Sequence, residues 1–238
     1  MRKQWNYIKG LILLTVVLFL YAFTSIRNND SAIRSVNIDF IGENTLYISK
    51  ANVDKMLIQN HEYVQCVDKE ILDLKALEIK ISDNAMIESA EAYLNVKGDL
   101  RIEIEQRSPL ARVVANPSYY IDRQGERMPL SEEYSARVLL VHGVDSESNL
   151  KAVYKLLKVI DADAFLKLYT TDLMIDADQQ ISMRLRDCSF EVLIGDLERL
   201  NQKIKNFKAF YQKAKKDKLL KRYKTVNLKF NQQVVCIK

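Results

Sequence analysis

Between Lys9 and Arg27 the chain reads GLILLTVVLFLYAFTSI, seventeen residues without a charge. At about 1.5 Å per helical residue, seventeen to nineteen residues reach roughly 26–29 Å, close to the ~30 Å hydrocarbon layer of a bilayer. Residues 10–26 are therefore predicted to be a transmembrane helix. Lys9 can snorkel to the headgroups, and Trp5, Tyr7 and Tyr21 are the amphipathic aromatics that favour membrane interfaces. A cleaved signal peptide is the rival, since it too begins basic and continues apolar. It needs a cleavage site near Tyr21 to Ser25, where no small-x-small pair of the usual kind stands. With Arg2, Lys3 and Lys9 ahead of the span, residues 1–9 are expected in the cytoplasm and everything after Arg27 outside it. That placement argues against nucleic acid, ATP and most cytoplasmic cofactors as partners.

The rest of the 238 residues is long enough for about two domains of roughly 100–150 residues. Hydrophobic residues make up 48% and charged residues 28%, and only six Gly and three Pro occur, so packed cores are expected rather than disorder. Three cysteines, Cys66, Cys188 and Cys236, are far apart and show no CxxC pairing, which speaks against a disulfide framework or a zinc site. Most of the net charge of +5 comes from KIKNFKAFYQKAKKDKLLKRYK, residues 203–224. Such a run fits nucleic acid or anionic lipid. Leu197, Leu200, Ile204, Phe207, Tyr211 and Ala214 recur there at helical spacing, so it also fits a core-facing helix with a lysine-rich solvent side.

After a polar linker at residues 27–34, Val36, Ile38 and Phe40 share a strand face. Ser49 is placed to cap a helix carrying Val53, Met56 and Leu57, and Asp73 one carrying Leu74, Leu77 and Ile81. Ala90, Ala92, Leu94 and Val96 alternate with polar residues, as do Leu100, Ile102 and Ile104 beyond the Lys97-Gly98-Asp99 turn, which predicts a hairpin. The order strand, helix, helix, strand, strand describes a small α+β unit over residues 35–109.

From Leu110 to Lys238 the texture is that of a larger α+β domain. ARVVA and SYYIDRQGERMPL supply short strands around an Asp122 to Gly125 turn, and VLLVHG reads as a fully apolar, central strand. Asn149 to Tyr169 contains a helix with Leu150, Val153, Tyr154, Leu157 and Ile160 inward. DLMIDADQQISMRLRDCSFEVLIG reads as two or three antiparallel strands, followed by the lysine-rich helix. The chain closes on YKTVNLKFNQQVVCIK, where Val226, Leu228 and Phe230 alternate with Asn227, Lys229 and Asn231 as one last strand.

Several stretches resemble the FtsQ/DivIB family of bacterial cell-division proteins: VNIDFIGENTLYIS, AEAYLNVKGDLRIEIEQRSPLARV, YYIDRQGERMPL and TVNLKFNQQVV. The resemblance implies a short cytoplasmic tail, one span, a POTRA domain at residues 35–109 and a β-domain at residues 110–238. It further implies a non-catalytic scaffold of the divisome at the septum, in the inner membrane. Its partners would be the membrane-anchored FtsB (DivIC) and FtsL, linked to the septal peptidoglycan synthase complex, with no cofactor and no small-molecule substrate. The tail is expected to be shorter than in many relatives, and the last strand is expected to lack the extension that often follows it in them. In relatives a partner adds a strand beside the last strands of the β-domain, by β-augmentation. Lys229, Phe230, Asn231 and Gln232 fall on the stretch of main contacts, with Phe230 where an aromatic anchors; Val234 and Val235 are added from strand continuity. Parity with Val226 and Leu228 points instead to burial of Phe230 in its own domain.

An extracytoplasmic enzyme is the first rival. His61 and His142 are the only histidines and neither lies near a Ser or Cys motif suited to nucleophilic work. Asp122 and Glu126 flank a turn and mimic paired carboxylates, but turn aspartates serve the backbone. A POTRA-containing chaperone, secretion or outer-membrane assembly component is the second; it calls for a β-barrel with strands of about ten residues, to which residues 110–238 are a poor fit.

Overall fold

In the computed structural model the uncharged run lies within one helix, α1 (Arg2–Asn29). Its segment Ile8–Ser25 has mean hydropathy 2.0 and is unburied by the rest of the chain, so it is long and apolar enough to cross a membrane. The Thr15 and Thr24 hydroxyls donate to the carbonyls of Leu11 and Leu20, at 2.9 and 2.8 Å, so neither carries an unpaired O–H into an apolar surround. The structure describes residues 2–29, 33–42, 45–60, 72–230 and 233–238, and divides after Gln106 into two units. His61, Cys66, Asn231 and Gln232 lie outside the described residues.

The first unit adds β1 (Ser35–Ile41), α2 (Lys50–Asn60), α3 (Leu74–Ser82), β2 (Ile87–Leu94) and β3 (Asp99–Gln106). The sheet order is β1-β3-β2, with β1 parallel and β2 antiparallel to β3. Ile38, Ala90, Ala92, Leu100, Ile102 and Ile104 turn to the face that holds Val53, Leu57, Leu77 and Ile81. The period-two alternation thus marks the buried face. Asp73 caps α3 by accepting from Ala76 N–H, and Ser49 O accepts from Asn52 and Val53 at the start of α2. Buried Gln106 ties the end of β3 to the loop that leads into α2: its Oε1 accepts from Tyr47 and Ile48 N–H, and its Nε2 donates to Ile48 O.

The second unit runs β4 (Pro109–Val113), β5 (Tyr119–Asp122), β6 (Arg127–Pro129), β7 (Leu139–His142), α4 (Glu147–Ala162), α5 (Ala164–Tyr169), β8 (Thr170–Ile175), β9 (Ile181–Leu185), β10 (Glu191–Gly195), α6 (Leu200–Lys216), β11 (Thr225–Asn227) and β12 (Val235–Ile237). These strands form one nine-stranded sheet in the order β12-β11-β10-β9-β8-β7-β4-β5-β6. Parallel pairs β7–β8 and β10–β11 are joined by helical crossovers, and the parallel pair β4–β7 by the connection that holds β5 and β6. Val141, Leu173, Met183, Val192 and Val226 share one core with Val153, Leu157, Leu166, Ile204 and Phe207, so the three helices cover one face.

Local details refine these expectations. The helix expected within residues 149–169 is α4, and a second, α5, follows it, because Asp163 leaves the helical region at φ −108° and ψ 112° and caps α5, accepting from Phe165 and Leu166 N–H. Lys208 Nζ, 2.5 Å away, secures that carboxylate. Leu156 also turns inward, fully buried. Strand β7 is interior in the ladder but covered on one face only, leaving Leu140 36% exposed. The last strand is shorter than its alternation predicts: Leu228 N–H still donates to Leu193 O, but Lys229 N–H is captured by Asn227 Oδ1 at 2.9 Å, an Asx turn that leads the chain off the ladder.

Helix α6 ends in a Schellman motif, with Leu219 N–H bonding Ala214 O and Lys218 N–H bonding Lys215 O. Lys218 occupies the left-handed position at φ +56°, where glycine avoids a steric penalty of about 1–2 kcal/mol.

Candidate partner-binding edge

Strand β11 has a neighbour on each side, so the sheet's free edge at this end is β12. Lys224 O and Leu228 N–H engage β10, which turns Thr225 and Asn227 toward β12. Cys236 stands opposite Val226, between the Thr225–Ile237 and Asn227–Val235 pairs. The alternation of an antiparallel ladder then directs the Cys236 N–H and C=O away from β11, into the open side.

The sheet's other end is finished differently. Strand β6 closes on Pro129, which has no N–H to offer. The chain beyond it folds back over the adjoining face, where Ala136 N–H donates to Tyr120 Oη at 3.0 Å and both Tyr120 and Met128 are buried. No proline and no covering segment protects β12 among the described residues.

Side chains sort on β12 by parity. Val234 and Cys236 are half-buried against the core, and burial pushes the Cys236 thiol up, away from the reactive thiolate. Val235 and Ile237, 37% and 57% exposed, stand on the face opposite the helices. That face continues inward along Val235, Asn227, Leu193, Ser182 and Met174, paired in register. Phe230, 49% exposed, projects from the β11–β12 connection, so its parity with Val226 and Leu228 does not bury it. Next to it, the Lys229 stem lies over Gly195, where an added Cβ would come within 2.8 Å of Lys229 Cγ. Lys229, Glu191, Ser182, Leu193 and Met174 line a shallow depression of about 310 Å³. Ser182 Oγ donates to Glu191 Oε1 across it at 2.6 Å.

The structure therefore brings Lys229, Phe230 and Val235 to the edge or open face, and turns Val234 toward the core. Ile237 is the exposed residue that the reading of the sequence passed over, although its period-two relation to Val235 was visible. The other places singled out in the sequence are occupied by structural roles. Asp122, 1% exposed, accepts from Gln124 and Glu126 N–H on one oxygen and from Arg107 Nη1 on the other, which is turn and ion-pair work. His142 Nε2 stands 3.6 Å from Asp172 Oδ1 on the open sheet face. Burial and the neighbouring Asp187 carboxylate push the Cys188 thiol up. Among the described residues no group of three or more His, Cys, Asp or Glu can hold a metal ion.

The family model described as FtsQ/DivIB, C-terminal related matches residues 108–237, more than half the chain and nearly all of the second unit. No curated protein matches the chain.

Proposed function

Since the chain belongs to the FtsQ/DivIB family, a family of non-enzymatic cell-division scaffolds, we propose that it is a bitopic divisome scaffold that captures a partner strand on β12. The carrying observation is the asymmetry of the nine-stranded sheet: edge strand β6 ends on Pro129, which has no N–H to offer, whereas edge strand β12 carries no proline. An extended partner segment beside β12 would pair with the Cys236 N–H and C=O, each main-chain bond adding about 0.5–1.5 kcal/mol net. Val235, Ile237 and Phe230 supply apolar surface next to that rail, and Lys229 a cation beside it. The membrane-anchored coiled-coil proteins FtsB (DivIC) and FtsL are the proposed partners, with Asn231 and Gln232 completing the contact stretch. Through them the scaffold would reach the septal peptidoglycan synthase. Helix α1 is the proposed anchor, with Arg2, Lys3 and Lys9 on the cytoplasmic side and both units outside, the first as a POTRA-type domain. A role in building outer-membrane barrels finds no support in the second unit, whose sheet is open and carries three helices on one face.

Co-purification of the full-length chain with the exported parts of candidate FtsB and FtsL partners tests the reading. A buried aromatic anchor is worth about 2 kcal/mol, so Phe230→Ala should weaken the complex roughly thirtyfold. Absence of a complex with the unaltered chain would refute the scaffold reading, and full affinity in the folded variant would remove Phe230 as the anchor.

A further inference from the structure

The turn that follows α6 carries a charge pattern that neither the core nor partner docking on β12 uses. Residues 213–224 hold seven basic side chains, Lys213, Lys215, Lys216, Lys218, Lys221, Arg222 and Lys224, against one acidic, Asp217. Their net +6 exceeds the +5 of the whole chain, so everything else sums to −1. All seven are exposed, and among the described residues none stands within ion-pair distance of a carboxylate.

A merely solvated helix face does not account for this. The outward side of α4 mixes Glu147 and Asp161 with Lys151, Lys155 and Lys158. Earlier in α6 itself, Lys203 pairs with Asp196 at 2.7 Å and Lys208 with Asp163. Among the described residues, Lys205 between them is unpaired, and beyond Lys208 no such pair recurs. Attraction to the negative helix end explains basic residues in the last turn, Lys213, Lys215 and Lys216, but falls off beyond it. Four more follow. One of them, Lys218, sits in the left-handed position that the backbone would give to glycine.

The cluster also lacks what other partners need. Tyr211 is buried and Tyr223 is half-buried against Phe210, so no ring is free to stack on a base. Leu219 and Leu220 are half-buried too, which leaves no exposed apolar anchor of the kind that dominates protein interfaces. Charge without apolar or stacking groups suits a broad anionic surface. The chain carries its own route to one, because α1 can hold the molecule at a bilayer, where a second and weaker attachment becomes intramolecular.

We propose that residues 213–224 form a basic cap that docks electrostatically on the anionic phospholipid headgroups of the membrane that α1 anchors. The contact is peripheral: the apolar side of α6 is spent on the core, through Ile204, Phe207, Tyr211 and Ala214, so nothing inserts. It is independent of the β12 reading and survives if that reading fails.

The test uses the full-length chain in nanodiscs of phosphatidylcholine alone or mixed with phosphatidylglycerol. Lysines are acylated with a membrane-impermeant reagent and read by mass spectrometry, with Lys151 and Lys155 of α4 as internal references. On phosphatidylglycerol discs, Lys215, Lys216, Lys218 and Lys221 are expected to react several-fold more slowly. That protection should vanish near about 1 M salt, where the screening length falls to about 3 Å. The double variant Lys218→Gly/Lys221→Gln, which relieves the left-handed position, should lose protection at Lys215 and Lys216 while staying folded. Equal labelling on both discs, protection that persists at high salt or without anionic lipid, or undiminished protection in the double variant overturns the proposal.

Discussion

Two glycines with nearly the same backbone conformation should respond to alanine very differently. Gly143 at φ +80° and Gly195 at φ +77° both sit where an L-residue pays about 1–2 kcal/mol, partly offset by the 0.4–1 kcal/mol that alanine removes from unfolded-chain entropy. At Gly195 the added Cβ meets Lys229 Cγ at 2.8 Å, the middle of an exposed flexible side chain that can swing aside. Gly195→Ala is therefore expected to cost about 1 kcal/mol and to displace Lys229, next to Phe230. At Gly143 the Cβ would stand 2.1 Å from the Ile175 carbonyl oxygen, and that oxygen belongs to the backbone of β8, paired with both β7 and β9. Relief requires parting the β7 and β8 ends by roughly 1 Å, forfeiting one or two backbone bonds at about 1–3 kcal/mol each. Gly143→Ala should then destabilise the second unit by about 3–5 kcal/mol. Native-state amide exchange on the detergent-solubilised chain, resolved to peptides from α4 and β8, reads both losses. Equal losses in the two variants would refute the argument, since backbone conformation alone would then set the cost.

Other outcomes follow from single contacts. Gln106→Leu strips two amide donors and one carbonyl of their partner in a buried site, so exchange in the first unit should report a loss of about 2–4 kcal/mol, with the second unit unchanged. The bonded Lys208 ammonium, helped by Phe165 and Leu166 N–H, holds the Asp163 carboxyl below its ordinary value. A lowered folded-state pKa stabilises above the unfolded value and is lost as pH falls through the folded one, so α5 should loosen below about pH 4. In Lys208→Met that acid dependence should flatten, as far-ultraviolet and exchange titrations would register. Lys218→Gly should raise the stability of the second unit by about 0.5–1 kcal/mol, read as slower exchange in α6 peptides.

How much was visible beforehand depends on how local the cause is. The Gly98 hairpin, the Asp73 cap and the inward side of α6 follow from neighbours three or four residues apart, and the sequence shows them. The break at Asp163 is invisible to the helical period, because Leu150, Val153, Tyr154, Leu157 and Ile160 all precede it, while the bonds that make it run from two backbone amides to one side chain. The end of β11 was misread for a similar reason: Phe230 keeps the period, and Asn227 overrides it with one hydrogen bond to Lys229 N–H. Non-local causes were out of reach. That Leu140 is exposed depends on which face α4, α5 and α6 cover, and that β12 is the outermost strand depends on β11 pairing in parallel with β10. Of the edge residues, Lys229 and Phe230 came from family resemblance and Val235 from strand continuity, whereas the exposure of Ile237 follows from the face that β12 turns outward.

In the proposed scaffold, β12 offers an unpaired main-chain edge which a partner strand completes. Residue-resolved amide exchange at Cys236, on the full-length chain with and without a saturating exported partner segment, addresses it directly. The Cys236 amide should exchange nearly unprotected in the free chain, while the Val226 amide is slowed, and the partner should then protect Cys236 by orders of magnitude. Protection of Cys236 already present in the free chain, or none gained at saturation, would contradict the proposal.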